Sequence, residues 1–529
     1  MKQVRLLNLY PLNRGLDKTS IAGTQDPRSL KRAKNVMSGL RPSLKRRPGT
    51  RRIPYIGQDG GVQAIAHFFG TTGSGQFQEI IRVRKGQVEV LRDLSGSKPQ
   101  FVDLGLAVSP TDTVVFERFS NALVLHFENT RAYAYTVGGT LIPLPLFASH
   151  ISSPPTFGRR HEFRYWYSGR SANPHIVYAG APNSLTDYTL YSGGFSMRIN
   201  DGDGDPVGIT GISPPFRGEI YVYKWGNTYR VYRGGDGYGW SEESNEIGAV
   251  HHNAIVSTKM DLYSVDVSGI QSLMMSRQYD SGSGETALTG PIYEWFQDSV
   301  NWSQAKNMLL LYDKATGNLL LSYAKSGSSV NNSVLSMNVF SRQFFEWEDI
   351  EYPAMTRYYD FGKPRILVAD ETRGLSVIDK DELTLNGDPI NIEVETGTIF
   401  PMGNPKTQSS FTQAWLACKP TERSSIVKIY YSIDGQEESV KEVEMLAGSF
   451  GTTINDSVDE GGELIGSDII GRIDSEMATI PFEFLGEGAS VRFRVVQEPT
   501  EADPAKELEL FGILVEYENF EDTELKVTS

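Results

Sequence analysis

Three short acidic stretches in this 529-residue chain have residue types and spacings that could do chemistry. Asp201, Asp203 and Asp205 alternate with glycine, and hard cations need several carboxylates close together, so the triplet is a candidate metal site. An EF-hand loop starting at Asp201 would need glycine at its sixth position and glutamate at its twelfth. Pro206 and Ile212 stand there, and a turn between strands is the reading preferred. Glu346 and Glu348 flank Trp347 on an expected strand, which would put both carboxylates on one face, roughly 6.5–7 Å apart, as in a glycosidase pair. An inward aromatic between two outward carboxylates is the commoner meaning of that pattern. Ser432-Ile433-Asp434-Gly435 looks like a sialidase Asp-box, but its glycine comes one place early and its trailing aromatic is missing, so a hairpin turn is expected.

The remaining chemistry-bearing residues are dispersed. His251 and His252 are adjacent, and strand alternation would point them apart; His67, His126, His150, His161 and His175 are scattered. Phosphate-loop, His-Glu-x-x-His and Gly-x-Ser-x-Gly motifs are absent. Cys418 is the single cysteine, so an intrachain disulfide and a cysteine metal cluster are excluded, and Ala414–Cys418 reads as a buried strand. No catalytic residue and no cofactor are expected, and the chain is read as a non-enzyme. No apolar run approaches the roughly 20 residues that span a bilayer, and charges interrupt Val4–Leu12 where a secretory core would lie.

Charge is distributed unevenly. Residues 1–52 hold 14 Lys+Arg and 2 Asp+Glu, a balance of +12; the rest holds 51−14 = 37 basic and 65−2 = 63 acidic residues, a balance of −26. A basic arm ahead of an acidic body predicts an arm that docks on another copy or another protein. Within it, Asp26-Pro27 reads as a helix start, Leu30, Ala33 and Met37 recur at helical spacing, and Gly39 reads as the stop. The docking residues expected are Arg28, Lys31, Arg32, Lys34, Arg46, Arg47, Pro48, Gly49, Arg51 and Arg52. On this reading a chain lacking residues 1–52 stays folded and soluble but fails to enter its assembly.

Beyond the arm, strand pairs recur around turns centred near residues 85, 128, 169, 226, 268, 316 and 373. That spacing predicts a mainly β fold: a β-propeller of six to eight blades over 55–385, with two stacked sandwiches as the alternative. Six longer strands follow, at Ile390–Glu395, Ser410–Ala417, Ile426–Ser432, Ile480–Phe484, Ala489–Val496 and Leu508–Tyr517, and predict a C-terminal β-sandwich over 386–529. Gly448–Asp474 reads as an exposed acidic loop. The arm is then a first segment, 1–54.

The order Asn13-Arg14-Gly15-Leu16, Asp26-Pro27, Asn35 and Arg47-Pro48-Gly49 resembles the N-terminal signature of the tail nozzle (tail tubular protein B) family of short-tailed bacteriophages. The runs Ile199–Pro206, Ile209–Ile212 and Ile220–Tyr223, and later Phe484–Gly488, Val491–Val496 and Leu510–Ile513, look like the same family. The resemblance implies a structural virion protein: a ring of identical subunits, six in number, assembled in the host cytoplasm. It would dock on other tail, connector and fibre proteins and form part of the channel through which DNA is ejected. Acidic walls suit a conduit, because they repel phosphates and keep DNA from sticking. The alternative class is a virion-associated glycan-binding or polysaccharide-degrading propeller, with Tyr165, Trp166 and Tyr167 stacking on sugars and Glu346 and Glu348 as acid and base.

Overall fold

The computed structural model describes residues 4–519 except 13, 19–25, 40–42, 73–74, 93, 95–98, 145–152, 206, 236, 280–286, 361, 420–424, 446–477 and 500–507. The expected acidic loop at Gly448–Asp474 falls outside the described residues. The chain divides into two units: residues 51–335 with 349–379, and residues 1–50 with 336–348 and 380–529.

The first unit is a ring of seven antiparallel sheets. Blade 1 is Val62–Thr72, Gly75–Arg84, Gln87–Leu91 and Phe101–Ala107; blade 2 is Val114–Phe119, Ala122–Phe127, Tyr133–Thr136 and Leu141–Pro143. Blade 3 is Phe157–His161, Arg164–Ser168, Ile176–Ala179 and Phe195–Arg198; blade 4 is Gly211–Ile212, Ile220–Tyr223, Thr228–Gly234 and Gly237–Ser244. Blade 5 has three strands, Ile255–Ser257, Leu262–Asp266 and Gly269–Ser272, and blade 6 runs through Leu309–Asp313, Asn318–Tyr323 and Ser333–Asn338. Blade 7 is Ala354–Asp360, Lys363–Asp370 and Gly374–Asp379, joined on its outer side by Gly49–Arg52.

The first strand of each blade packs beside that of the next, and Ala354–Asp360 of blade 7 returns to Val62–Thr72 of blade 1; between blades 4 and 5 the short turn His252–Ala254 makes the contact. This closed circuit is a seven-bladed β-propeller, within the six to eight expected. Each of the seven expected hairpins lies in a different blade. The one near 85 turns through Lys85 (φ 48°) and Gly86 (φ 79°), two left-handed residues that match the twist of the flanking strands.

Residue type follows distance from the axis. Middle strands have a sheet against each face and read as unbroken runs: every residue of Ala122–Phe127, Ile220–Tyr223 and Asn318–Tyr323 is buried. Outer strands such as Phe195–Arg198 alternate between half-buried and exposed.

The second unit is a sandwich. One sheet runs in the order Phe344–Trp347, Leu30–Lys34, Ile392–Thr396, Val491–Gln497, Ser425–Ile433, Ser439–Met445. The other runs Val36–Ser38, Leu44–Arg46, Glu509–Asn519, Ser409–Cys418, Ala478–Gly488, with Val4–Asn8 also paired to Glu509–Asn519. Phe484 joins the two layers: its ring lies 5.1 Å from Phe411 in its own sheet, and 4.8 Å from Tyr431 and 5.3 Å from Phe493 in the facing one. All six expected strands are present; Ser439–Met445 is a seventh that the sequence reading missed.

The arm corrects the sequence reading. No helix forms at 26–39; Leu30–Lys34 and Val36–Ser38 are strands. A bulge between Leu30 and Arg32, and Asn35 at φ 56°, each shift the phase of side-chain alternation. Buried Leu30, Ala33 and Val36 consequently fall three apart and imitate a helical stripe. Asp26 organises a turn instead, its Oδ1 accepting the Arg28 N–H at 2.9 Å and its carbonyl the Ser29 N–H at 2.8 Å.

Residues 1–52 therefore supply strands to both sandwich sheets and the outer strand of blade 7. Deleting them is expected to yield insoluble or protease-sensitive protein, not the folded body that a free arm would leave. Limited proteolysis and circular dichroism of the truncated chain measure this; an intact melting transition in it would show these strands to be dispensable.

Candidate functional site

The ten expected docking residues occupy three environments. Arg28 pairs with Asp26 at 2.9 Å on the surface. Lys31 is half-buried on Leu30–Lys34. Arg32 reaches Glu393 at 2.6 Å, and Lys34 pairs with Glu348. At the propeller end of the arm, Arg51 pairs with Asp360 and Arg52 with Asp59, each at 2.6 Å. The positive arm thus meets carboxylates of its own chain.

The remaining four, Arg46, Arg47, Pro48 and Gly49, are buried. Arg46 donates to the Leu383 carbonyl at 2.8 Å and to Gln497 Oε1 at 3.0 Å. Arg47, 1% exposed, donates from Nε to Asn35 Oδ1 at 2.8 Å and from its terminal nitrogens to the Pro48 and Glu348 carbonyls at 3.3 Å, with its guanidinium 5.5 Å from the Trp347 ring centre. Asn35 Oδ1 also accepts the Glu348 N–H at 2.9 Å. A Cβ on Gly49 would lie 2.2 Å from the Thr384 carbonyl oxygen, so only glycine fits this crossing.

The acidic candidates are engaged separately. Asp201 pairs with Arg198 at 2.5 Å. Asp203 takes the buried Lys224 ammonium at 2.6 Å and the Tyr229 hydroxyl; burial opposes its charge, yet these donors hold its carboxyl below the usual range. Asp205 accepts the Val207 N–H at 2.9 Å and the Gly226 N–H at 3.3 Å. Their loop borders an open cleft with Val207, Trp225 and Asn227, but among the described residues no group of three His, Cys, Asp or Glu side chains is gathered for a cation.

Glu346 is buried, and Glu348 lies past the end of its strand on Lys34, so the two do not share an outward face. Tyr165, Trp166 and Tyr167 are fully buried, which removes them as a sugar platform. Asp434 (φ 49°) makes the expected turn and accepts the Ala489 and Ser490 N–H groups at 2.9 and 2.8 Å.

A polar constellation lies at the propeller axis, where the sequence reading placed no site. Arg159, on the inner strand of blade 3, bonds to Glu117 of blade 2 at 2.8 Å, to the Ile212 carbonyl of blade 4 at 3.3 Å and to His252 Nε2 at 2.7 Å. With Nε2 accepting from Arg159, Nδ1 carries the ring proton and lies 3.2 Å from the Ile212 nitrogen, and the ring stacks on Phe157 at 4.9 Å. Asn253 reaches across to the Val114 carbonyl of blade 2 at 3.3 Å. One guanidinium so ties three blades and the segment leading into a fourth. Burial pushes the Glu117 carboxyl up, with Arg159 opposing. Arg118, Arg160 and Arg357 stand on the inner strands of blades 2, 3 and 7. They are dispersed over 240 residues (357−118 = 239), and only ring closure brings their strands to one axis.

No family model and no curated protein matches this chain. Among solved structures it is similar to the WD40 β-propeller domain of Doa1, at 8% identity and TM-score 0.38, covering 64% of this chain and 98% of that one. It is also similar to YCF48 from Cyanidioschyzon merolae, at 10% identity and TM-score 0.37, covering 62% and 98%, and to the computationally designed Ika8 protein, at 12% identity and TM-score 0.36, covering 70% and 99%.

Two predictions come from these buried groups. Arg47→Ala strips donors from two buried acceptors and one half-buried one and is expected to cost about 3 kcal/mol, whereas Arg28→Ala, losing a surface pair, should change stability by less than about 1 kcal/mol. Urea unfolding of the two variants compares them.

The second concerns pH. Burial, with Arg118 adding to it for His67, holds the imidazoles of His67, His126 and His251 down at about 4. Between 4 and the usual 6.5 the unfolded chain binds more protons, so this stability is present above 6.5 and is lost as pH falls toward 4. Asp266, pushed up to about 6 by burial, acts in the opposite direction, but one carboxyl faces three imidazoles. His67 sits between Phe69 (5.0 Å) and Tyr358 (4.5 Å) with its Nε2 unpaired among the described residues. His67→Phe should therefore raise the urea midpoint at pH 5 relative to the parent and flatten the acid limb.

Proposed function

We propose that this chain is a structural virion component: a subunit of a ring-shaped tail nozzle or neck that docks on tail or connector proteins and lines part of the DNA ejection path. The observation that carries the reading is the seating of Arg47-Pro48-Gly49, central to the nozzle resemblance, inside the framework. Its buried guanidinium and its glycine crossing hold the start of the chain against segments more than 300 residues later (Glu348−Arg47 = 301; Thr384−Gly49 = 335).

A tail subunit must withstand the passage of DNA without unravelling. Here Val4–Asn8 and Glu509–Asn519, near opposite ends of the chain, pair in one sheet. Exposed Phe163, Leu190, Tyr191, Met260 and Phe340 offer apolar surface for neighbouring subunits. The net charge of −14 suits a wall that DNA slides past.

Light scattering and negative-stain images of the purified chain, together with mass spectrometry of purified tails, test the proposal. Rings of six subunits and a stoichiometric place in tails are expected. A chain that stays monomeric at high concentration and is missing from tails would overturn it.

A further inference from the structure

The open cleft beside Asp205 has a volume of about 410 Å³, near the small end for ligand pockets, and is lined by Asp203, Asp205, Val207, Trp225 and Asn227. One wall is the connection from Phe195–Arg198 of blade 3 to Gly211–Ile212 of blade 4; the other is the turn between Ile220–Tyr223 and Thr228–Gly234 of blade 4. Both walls are fixed from within. Buried Lys224 donates to Asp203 at 2.6 Å and to the Asn200 carbonyl, and the Tyr229 hydroxyl also donates to Asp203. Asp203 Oδ1 accepts the Asp205 N–H at 3.1 Å, and Asp205 Oδ2 reaches over to accept the Gly226 N–H of the opposite wall at 3.3 Å. The cleft is therefore built before any ligand arrives.

Three groups that line it are unused by the protein. The half-buried Trp225 indole makes no hydrogen bond and no ring contact among the described residues. The Asn227 side-chain amide makes no hydrogen bond there either. Asp205 accepts two backbone N–H groups but has no ion pair among the described residues, whereas Asp201 is matched by Arg198 and Asp203 by Lys224. One carboxylate of the three is thus left without a cation, and it shares a cleft with an unoccupied aromatic side chain. A bare metal ion would find one uncommitted carboxylate, too few for a hard cation. An organic cation would find both a charge partner and a π face.

We propose that this cleft receives an arginine side chain of a partner protein, stacked on the Trp225 indole and paired with Asp205. A guanidinium is planar and delocalised, so it lies on an aromatic face while its N–H fork meets a carboxylate at its edge; an ammonium is a point charge and does the two less well together. Asn227 can accept a further N–H, and exposed Val207 at the rim offers apolar contact to the arginine methylenes. The chain's net charge of −14 favours approach of a cationic partner, and arginine is enriched where proteins meet.

Saturation-transfer NMR of the full chain with N-acetyl-arginine-N-methylamide, a blocked arginine, tests the site at low salt. Weak but saturable binding is expected, reduced about fivefold or more by Trp225→Leu and by Asp205→Asn, and unchanged by Asp187→Asn on another loop of blade 3. The matching citrulline compound, of the same shape without the charge, should not bind. Trp225→Leu should keep the parental melting midpoint, because the indole bonds to nothing else, so its loss of binding would report the site and not unfolding. Free arginine should bind no better than the blocked form, since its α-carboxylate would meet Asp203 and Asp205; tighter binding of free arginine would mark a small-molecule site and overturn the assignment to a partner chain. Absence of saturable binding, equal binding of the citrulline compound, or parental affinity in Trp225→Leu would each overturn the proposal as well.

Discussion

A ring of sheets stands or falls with its seam, and here the seam is supplied from the far end of the sequence. Blade 7 ends with Gly374–Asp379, and the strand beside it is Gly49–Arg52. The Ile53 N–H continues the pairing by donating to the Leu375 carbonyl at 2.9 Å. Sheet edges carry unpaired N–H and C=O groups that invite the wrong partner, and a returning strand covers one such edge from within. The cost is loop-closure entropy over some three hundred residues, a term that grows only logarithmically with length. That weak dependence makes such a distant seam thermodynamically tolerable.

Placing the seam strand creates a demand for precision one step upstream. Gly49 passes a backbone carbonyl so closely that no side chain fits, and Arg47 fills the interior with a charge that must be satisfied. An unpaired guanidinium there would be prohibitive, and its bonds to Asn35, Pro48 and Glu348 supply what water would. Asn35 is itself left-handed and bonded to the Glu348 backbone, so one residue both bends the chain and seats the cation. Arg159 applies the same logic at the axis. In both places a planar donor with several N–H groups joins segments that no local pairing would bring together.

The fold was legible where physics is local. Hairpins depend on a turn and two flanking strands, so all seven could be read, and burial on both faces writes middle strands as apolar runs. The arm was misread because a bulge and one left-handed residue changed a period of two into an apparent period of three to four. Its charge was read as docking on another copy or another protein; composition could not reveal that Glu348, Asp360 and Glu393 of the same chain meet part of it. The aromatic triplet Tyr165–Tyr167 failed as a binding platform for a similar reason. Three consecutive aromatics cannot all face outward on a strand, and between two blades every face is interior.

The axial arginines invert the usual relation between motif and site. A linear motif works when one loop carries the chemistry; a propeller axis collects one or two residues from each inner strand, so its chemistry is spaced by a whole blade. Arg118, Arg160 and Arg357 would each pass as an ordinary surface cation in isolation. What composition cannot show is which carboxylate meets an axial arginine: Glu117 accepts the Arg159 guanidinium at 2.8 Å and the Arg160 N–H at 3.2 Å. The sandwich unit solves the equivalent problem internally, pairing Arg492 and Arg494 with Glu438 at 3.3 and 2.5 Å.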